Sequence, residues 1–228
     1  MNHSALYVTV SLSLLTATIL TVSSLPFAWW IVYSGSRWVT LGEAILTLTL
    51  VLPPAVLGYL LLVVFSPDNP FGGFFAKILG HPLPFSFEGL LVASLLYSLP
   101  FAVQPVSQAF RQIPQSTIEM ARLLGASRAR TFFRIIVPLS LSGLWTGWIL
   151  GFAHTVGEFG VVMMVGGNIP GSTRTLSLKA YDDLLSMNDK SAWESIGYLL
   201  LFSFLALTAL NLIRRKGTSR ESIEVTRR

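Results

Sequence analysis

The chain has 228 residues, 52% hydrophobic and only 12% charged, with a formal net charge of +5. A soluble domain carries roughly 25% charged residues, so an ordinary water-soluble globule is excluded. With no cysteine, disulfides, thiolate catalysis and cysteine-based metal sites are excluded as well.

Five stretches contain no Asp, Glu, Lys or Arg: Leu6–Tyr33, Ala44–Pro67, Gly89–Phe110, Ile135–Gly157 and Ser195–Ile213. Each reaches the ~20 apolar residues with which a helix crosses a hydrocarbon core. A helix also satisfies its own backbone polar groups there, as lipid demands. The spacing predicts an all-α fold, a polytopic transmembrane helical bundle with five spans at 6–33, 44–66, 89–110, 139–164 and 195–213. The first run lacks a basic segment before it and exceeds the about 7–15 residues of a signal-peptide core, so it reads as a retained span.

Pro53 and Pro54 fall midway along the second span, and Pro100 and Pro105 within the third. Proline removes a backbone donor and kinks a helix. One reading is curvature for packing; the other is that spans two, three and four line a central path and rock about these kinks. In span four, Gly143, Gly147 and Gly151 form a small-residue strip, expected to lie buried against another helix.

Between spans three and four, residues 112–138 carry four arginines, Arg122, Arg128, Arg130 and Arg134. The order Ser116-Thr117-Ile118-Glu119 fits a capping box with Ser116 as the cap. Pro114 blocks earlier helix, Gly125 ends the first helix in a left-handed turn, and Ser127 caps a second helix leading to Pro138. The pattern predicts a short surface helix, a turn and a re-entering helix. An amphipathic segment lying on lipid is the alternative.

Basic residues set the orientation. Five spans place twelve Lys and Arg on one side, in the segments holding Arg37, Arg111–Arg134 and Arg214–Arg228, against Lys77, Arg174, Lys179 and Lys190 on the other. The positive-inside rule then puts the N-terminus outside and the C-terminus in the cytoplasm. Trp29, Trp30, Tyr33 and Trp38 fit an interfacial aromatic belt. The positive charge is thus a topology signal, and nucleic acid is not an expected partner. The domain reading is a permease domain over 1–213 and a basic cytoplasmic tail over 214–228.

Glu158 is a carboxylate at the end of an apolar run, some ~28 Å up span four counted at 1.5 Å per residue. Ionisable groups at such depth read as functional. A negative charge is a poor anion ligand, so Glu158 is read as a structural or gate residue. His154 lies four residues earlier on the same helix face and is placed to pair with it. No third ligand accompanies the two, so no metal site is expected. His81 reads as part of a solvated turn, and the loop 165–193 as solvated or as a partner contact.

The spacing of Glu119, Ala121, Gly125, Ile135 and Pro138 resembles the EAA loop of importer permeases of the ATP-binding cassette class, with Met120 and Val137 replacing the family's alanine and leucine. Leu52-Pro53-Pro54-Ala55-Val56-Leu57-Gly58-Tyr59, Gly157-Glu158-Phe159-Gly160 and Asn168-Ile169-Pro170-Gly171-Ser172-Thr173-Arg174-Thr175 resemble the molybdate permeases, and less closely the sulfate permeases. The resemblance implies a type I importer fold and a coupling role for Glu119, Ala121, Arg122, Gly125, Ile135 and Pro138. It also implies a translocation path or gate at Pro53, Pro54, Pro100, His154, Gly157, Glu158 and Gly160.

The implied partners are a second copy in a homodimer, two cytoplasmic ATPase subunits, an extracytoplasmic oxyanion-binding protein and membrane lipid. The implied location is the inner membrane of a bacterium. No cofactor is expected on this chain, ATP and Mg belonging to the ATPase, and the chain lacks a Walker A pattern and a nucleophile elbow. Sulfate or tungstate transport, a proton-coupled secondary transporter using His154 and Glu158, and a lipid-bound scaffold are the competing readings.

Overall fold

A computed structural model of the chain describes residues 3–225, with side chains as far as Ile213. Three long apolar helices frame it: α1 (His3–Tyr33), α5 (Phe87–Arg111) and α12 (Asp189–Val225). The basic side chains of the predicted tail 214–228 lie outside the described residues. Two further spans are bent pairs. The helices α2 (Trp38–Val51) and α3 (Pro54–Phe65) meet at 115°, and the stretch Arg128–Leu139 meets α9 (Leu141–Gly157) at 67°. By length and composition the described residues therefore hold three spans, or five with each bent pair as one.

The second span is not a kinked helix but two helices. Leu52 and Pro53 both adopt extended backbone, with ψ 135° and 132°. Pro54 then opens α3 at a position where its missing N–H costs nothing. By contrast, Pro100 and Pro105 sit inside an unbroken α5. Span four is also broken: α9 ends at Gly157, Glu158 is extended, and α10 (Gly160–Gly166) follows.

A short helix absent from the predicted spans, α4 (Pro70–Leu79), starts at an Asn69 cap and stops at left-handed Gly80. After α10 come α11 (Leu176–Leu185) and α12. The loop read as solvated is therefore largely helical.

The centre of the bundle is the α1–α5–α9 trio. Glycine allows the closest of these approaches. A Cβ on Gly147 would lie 2.9 Å from the Ala102 carbonyl oxygen, and one on Gly143 would meet Ala109 and the Pro105 carbonyl. Gly151 faces Ala17 of α1. The glycine strip is thus buried within the subunit. On one flank α3 packs on α10, where Leu61, Phe65, Ala93, Val161 and Val165 form a core; on another α12 covers α9.

Candidate functional site

At one end of the bundle the arginine-rich segment folds as α6 (Gln115–Leu123), a turn, α7 (Arg128–Thr131), a π-helical turn over Phe132–Ile136, and α8 (Val137–Leu139). The predicted capping box is not formed. Helix α6 begins with Pro114 at its cap, Ser116 lies inside the helix, and the Glu119 carboxylate accepts instead from Gln115 Nε2 at 3.1 Å. Proline's fixed φ presets the first turn, so the helix starts before a hydroxyl cap can act.

The other end follows expectation. Gly125 has φ +78°, its N–H donates to Arg122, and that of Ala126 donates to Ala121, which is the Schellman pattern. Ser127 Oγ accepts from the Arg130 N–H at 3.3 Å and caps α7. The π turn has a cause: Pro138 has no N–H to donate to Arg134, and its ring would crowd that carbonyl. The ladder widens there, Val137 N–H reaching Phe132.

Ile118 and Ile136 are buried against Ala28, Val106 and Phe110, so the segment is seated on the ends of α1 and α5, and Ala121 is buried too. Trp29 and Phe132 meet edge-on at 5.1 Å, and the Tyr33 hydroxyl donates to the Phe110 carbonyl. These two belt aromatics are therefore partly core, while Trp38 is exposed. Ala121 faces inward. The outward surface is Met120, Leu123 and Leu124, the last two 88% and 84% exposed, beside the exposed Glu119, Arg122, Arg128 and Arg130. Ile135 is half-buried and Pro138 exposed.

Along the bundle, a cavity of about 650 Å3 opens between α3, α5, the end of α9 and α10. Of the predicted path residues, Pro54, His154, Gly157, Glu158 and Gly160 line it. Pro53 lies at the break beside it, and Pro100 is buried in α5 outside the lining. Gly160 is needed for the close fit of α10 on α3, since a Cβ there would lie 2.7 Å from that of Pro54.

The expected His154–Glu158 pair does not exist. The helix ends at Gly157, so the i,i+4 relation is lost. His154 Nδ1 lies 2.9 Å from Ser98 Oγ, whereas the Glu158 carboxylate accepts from Ser94 Oγ at 3.0 Å. Glu158 is 4% exposed, and its Oε1 has no hydrogen-bond partner. Tyr97, Met163 and Met164 complete much of the wall.

At the bundle end opposite α6, the Asn168–Thr175 segment forms a clasp. Arg174 donates to the Asn168 side chain and meets Asp182 at 3.3 Å, and Asn168 itself donates to Asp182. Thr173 Oγ1 donates to Gly166, Leu176 N–H donates to Thr9, and Ser177 Oγ donates to the Glu158 carbonyl at 2.6 Å. Lys179 bonds Asp183 and Ser191. Burial pushes the Asp183 carboxyl up, but hydrogen bonds from Lys179 and Ser191 with the charges of Lys179 and Arg174 outweigh it, and the group lies below its ordinary value. Arg174 holds the segment through its Nε and Nη2.

Residues 24–216 match the family described as binding-protein-dependent transport system inner membrane component. The chain belongs to this family. The permease is 47% identical over 213 residues to the molybdenum transport system permease protein ModB of Azotobacter vinelandii, covering 93% of this chain and 94% of that one. It is 32% identical to a probable sulfate transport system permease protein of Zygnema circumcarinatum, covering 95% and 76%. Among solved structures, the MetNI methionine ABC transporter in inward-facing conformations matches with a TM-score of 0.71 at 18% identity, over 94% of this chain and 95% of that one. At that identity the likeness shows a shared fold.

Sequence reasoning about the permease missed Ser94, Ser98 and Tyr97, the α5 residues that hold or flank His154 and Glu158. A signal was present: serines at 94 and 98 repeat at helical spacing within an apolar span. It also missed Leu123 and Leu124.

Proposed function

We infer that the chain is the membrane-spanning permease subunit of an ATP-driven molybdate importer, moving the anion by alternating access coupled to a separate ATPase. It is a transport component and not an enzyme. The observation that carries the cargo is the 47% identity, over nearly the whole of both chains, to a molybdenum permease, against 32% to a sulfate permease.

Two copies form a two-fold dimer in this reading, because three to five spans per chain are few to enclose a path. Two cytoplasmic ATPase subunits receive α6, whose exposed Met120, Leu123 and Leu124 supply apolar contact and whose arginines supply charge. Its rigid seating by Ile118, Ala121 and Ile136 supports transmission of movement from that segment to α1 and α5. An extracytoplasmic binding protein delivers the anion at the clasp end. ATP and Mg reside on the ATPase, and this chain carries no cofactor. The permease domain covers 1–213, with the N-terminus outside and the basic tail 214–228 in the bacterial cytoplasm, as the twelve-to-four distribution of Lys and Arg supports.

Uptake into vesicles holding the complete importer tests the reading, with labelled molybdate and competing tungstate and sulfate. ATP-dependent uptake of molybdate, displaced weakly by sulfate, is expected. Uptake that persists without ATP and follows a proton gradient would overturn it in favour of a secondary transporter.

A further inference from the structure

The proton positions around His154 are set by its neighbours. Thr155 Oγ1 donates its single proton to the Gly151 carbonyl at 2.9 Å. Ser98 Oγ lies 3.1 Å from Thr155 Oγ1, and the bond between them needs the Ser98 proton. The contact of Ser98 with His154, at 2.9 Å, then requires the ring to donate from Nδ1. Only this arrangement satisfies all three bonds. The ring is also clamped, stacked on Phe101 at a centroid distance of 4.0 Å and tilted against Tyr97 at 4.7 Å.

Among the described residues Nδ1 makes the ring's hydrogen bond and Nε2 has no partner, and His154 lines the cavity. A neutral imidazole has one N–H, here held by Ser98. In the empty cavity Nε2 is therefore an acceptor, a poor group to meet an anion. It becomes a donor only when the ring takes a second proton.

We propose that His154 is a specificity-determining contact of the path: its Nε2 donates to a passing oxyanion only as the imidazolium, so the anion is held in this cavity only while the ring carries a second proton. The proposal rests on the importer reading above. A dianion beside the ring favours the charged form, and the faces of Phe101 and Tyr97 support it by cation–π attraction. The proton comes from hydronium in the cavity water, one O–H bond breaking as the Nε2–H bond forms and a water molecule being left, and it returns to water when the anion leaves. Among the described residues, the other ionisable groups lining the cavity are Tyr97 from α5 and Glu158 at the end of α9. The α3 and α10 walls bring Pro54, Ala55, Gly160, Met163 and Met164, none of which titrates.

The test uses proteoliposomes holding permease, ATPase and binding protein, with labelled molybdate uptake measured per ATP hydrolysed between about pH 6 and about pH 8, the range in which histidine changes charge. The parent should take up less per ATP as pH rises. His154→Arg, with a permanent donor, should hold its low-pH ratio at high pH. His154→Phe should lose the slope and sit roughly tenfold below the parent at the acid end, the size of one charge-assisted hydrogen bond. Ser98→Ala frees the neutral ring to carry its proton on Nε2 and should make the slope shallower. A parent slope retained in His154→Phe or His154→Arg, or full uptake by His154→Phe at low pH, overturns the proposal. A parent that moves none of molybdate, tungstate or sulfate with ATP overturns the importer reading itself, and the proposal with it.

Discussion

Ser94 Oγ donates to Glu158 Oε2 at 3.0 Å, joining the middle of the bundle to the residue at which span four breaks. Because Glu158 Oε1 is already buried without a partner, this bond is the carboxylate's sole side-chain hydrogen bond among the described residues. Ser94→Ala should destabilise the purified permease by ~1–3 kcal/mol, the cost of stranding a buried polar group. Thermal unfolding in detergent measures it. Adding Glu158→Gln should recover part of the loss, since a neutral amide is easier to bury, and no recovery would argue against the bond.

The exposed tip of α6 separates docking from folding. Leu123 and Leu124 touch little of their own chain, so Leu123→Glu with Leu124→Glu should change stability by under ~1 kcal/mol, as surface changes do. Co-purification of the ATPase should nonetheless fall sharply. Retained ATPase in that double variant would show that the arginines carry the contact alone.

Gly125 and Glu119, both in the sequence motif, should behave differently. At φ +78° a β-branched side chain is strained by roughly 1–2 kcal/mol, so Gly125→Val should loosen the turn and weaken binding-protein stimulation of ATP hydrolysis. Glu119 is exposed and, among the described residues, its side chain bonds only Gln115, so Glu119→Ala should leave the fold intact and act on ATPase coupling alone. Hydrolysis rates with and without binding protein distinguish the two, and unchanged stimulation in both variants counts against a coupling role.

Gly147 lets α9 lie on the Ala102 backbone. Gly147→Leu should cost ~1–3 kcal/mol through overpacking. Gly157→Ala, where a Cβ meets open space, should be tolerated. Parallel melting curves of the two variants check this contrast.

Asp183 gives the clasp a pH signature. A carboxylate whose folded value lies below its ordinary one contributes stability that is full above the ordinary value and fades as pH falls through the folded value. The parent should therefore lose stability below about pH 4, the usual aspartate range. Asp183→Asn should lack that share of the loss and be less stable at neutral pH, because Lys179 loses its ionic partner. Melting temperature against pH reads both effects.

Much of the architecture was legible because its causes are local. Charge-free runs of span length, the left-handed stop at Gly125, the Ser127 cap and the glycine strip all act within a few residues of themselves. Of the two breaks, Pro53-Pro54 marked the first, although not its depth, while the second, at Gly157-Glu158-Phe159-Gly160, was read as continuous span. A proline pair signals a lost donor; whether the chain kinks or turns by 115° depends on what α3 packs against, and that is α10, about a hundred residues later. The His154–Glu158 pair failed for the same reason, since it assumed a helix that α10 and α3 interrupt.

By itself the sequence determined the helical class, the number of apolar runs, their orientation signal and the position of the arginine-rich segment, all of which follow from hydrophobicity, charge and backbone preference along the chain. The tertiary structure alone decided that Ala121 turns inward while Leu123 and Leu124 turn out, that Glu158 answers to Ser94 and His154 to Ser98, and that Arg174 is engaged by Asn168 and Asp182. Two of these pairs lie 56 and 64 residues apart in the chain, and Thr9 meets Leu176 across 167. Such pairs arise from how helices pack side by side, and no rule reaching only four residues ahead contains them.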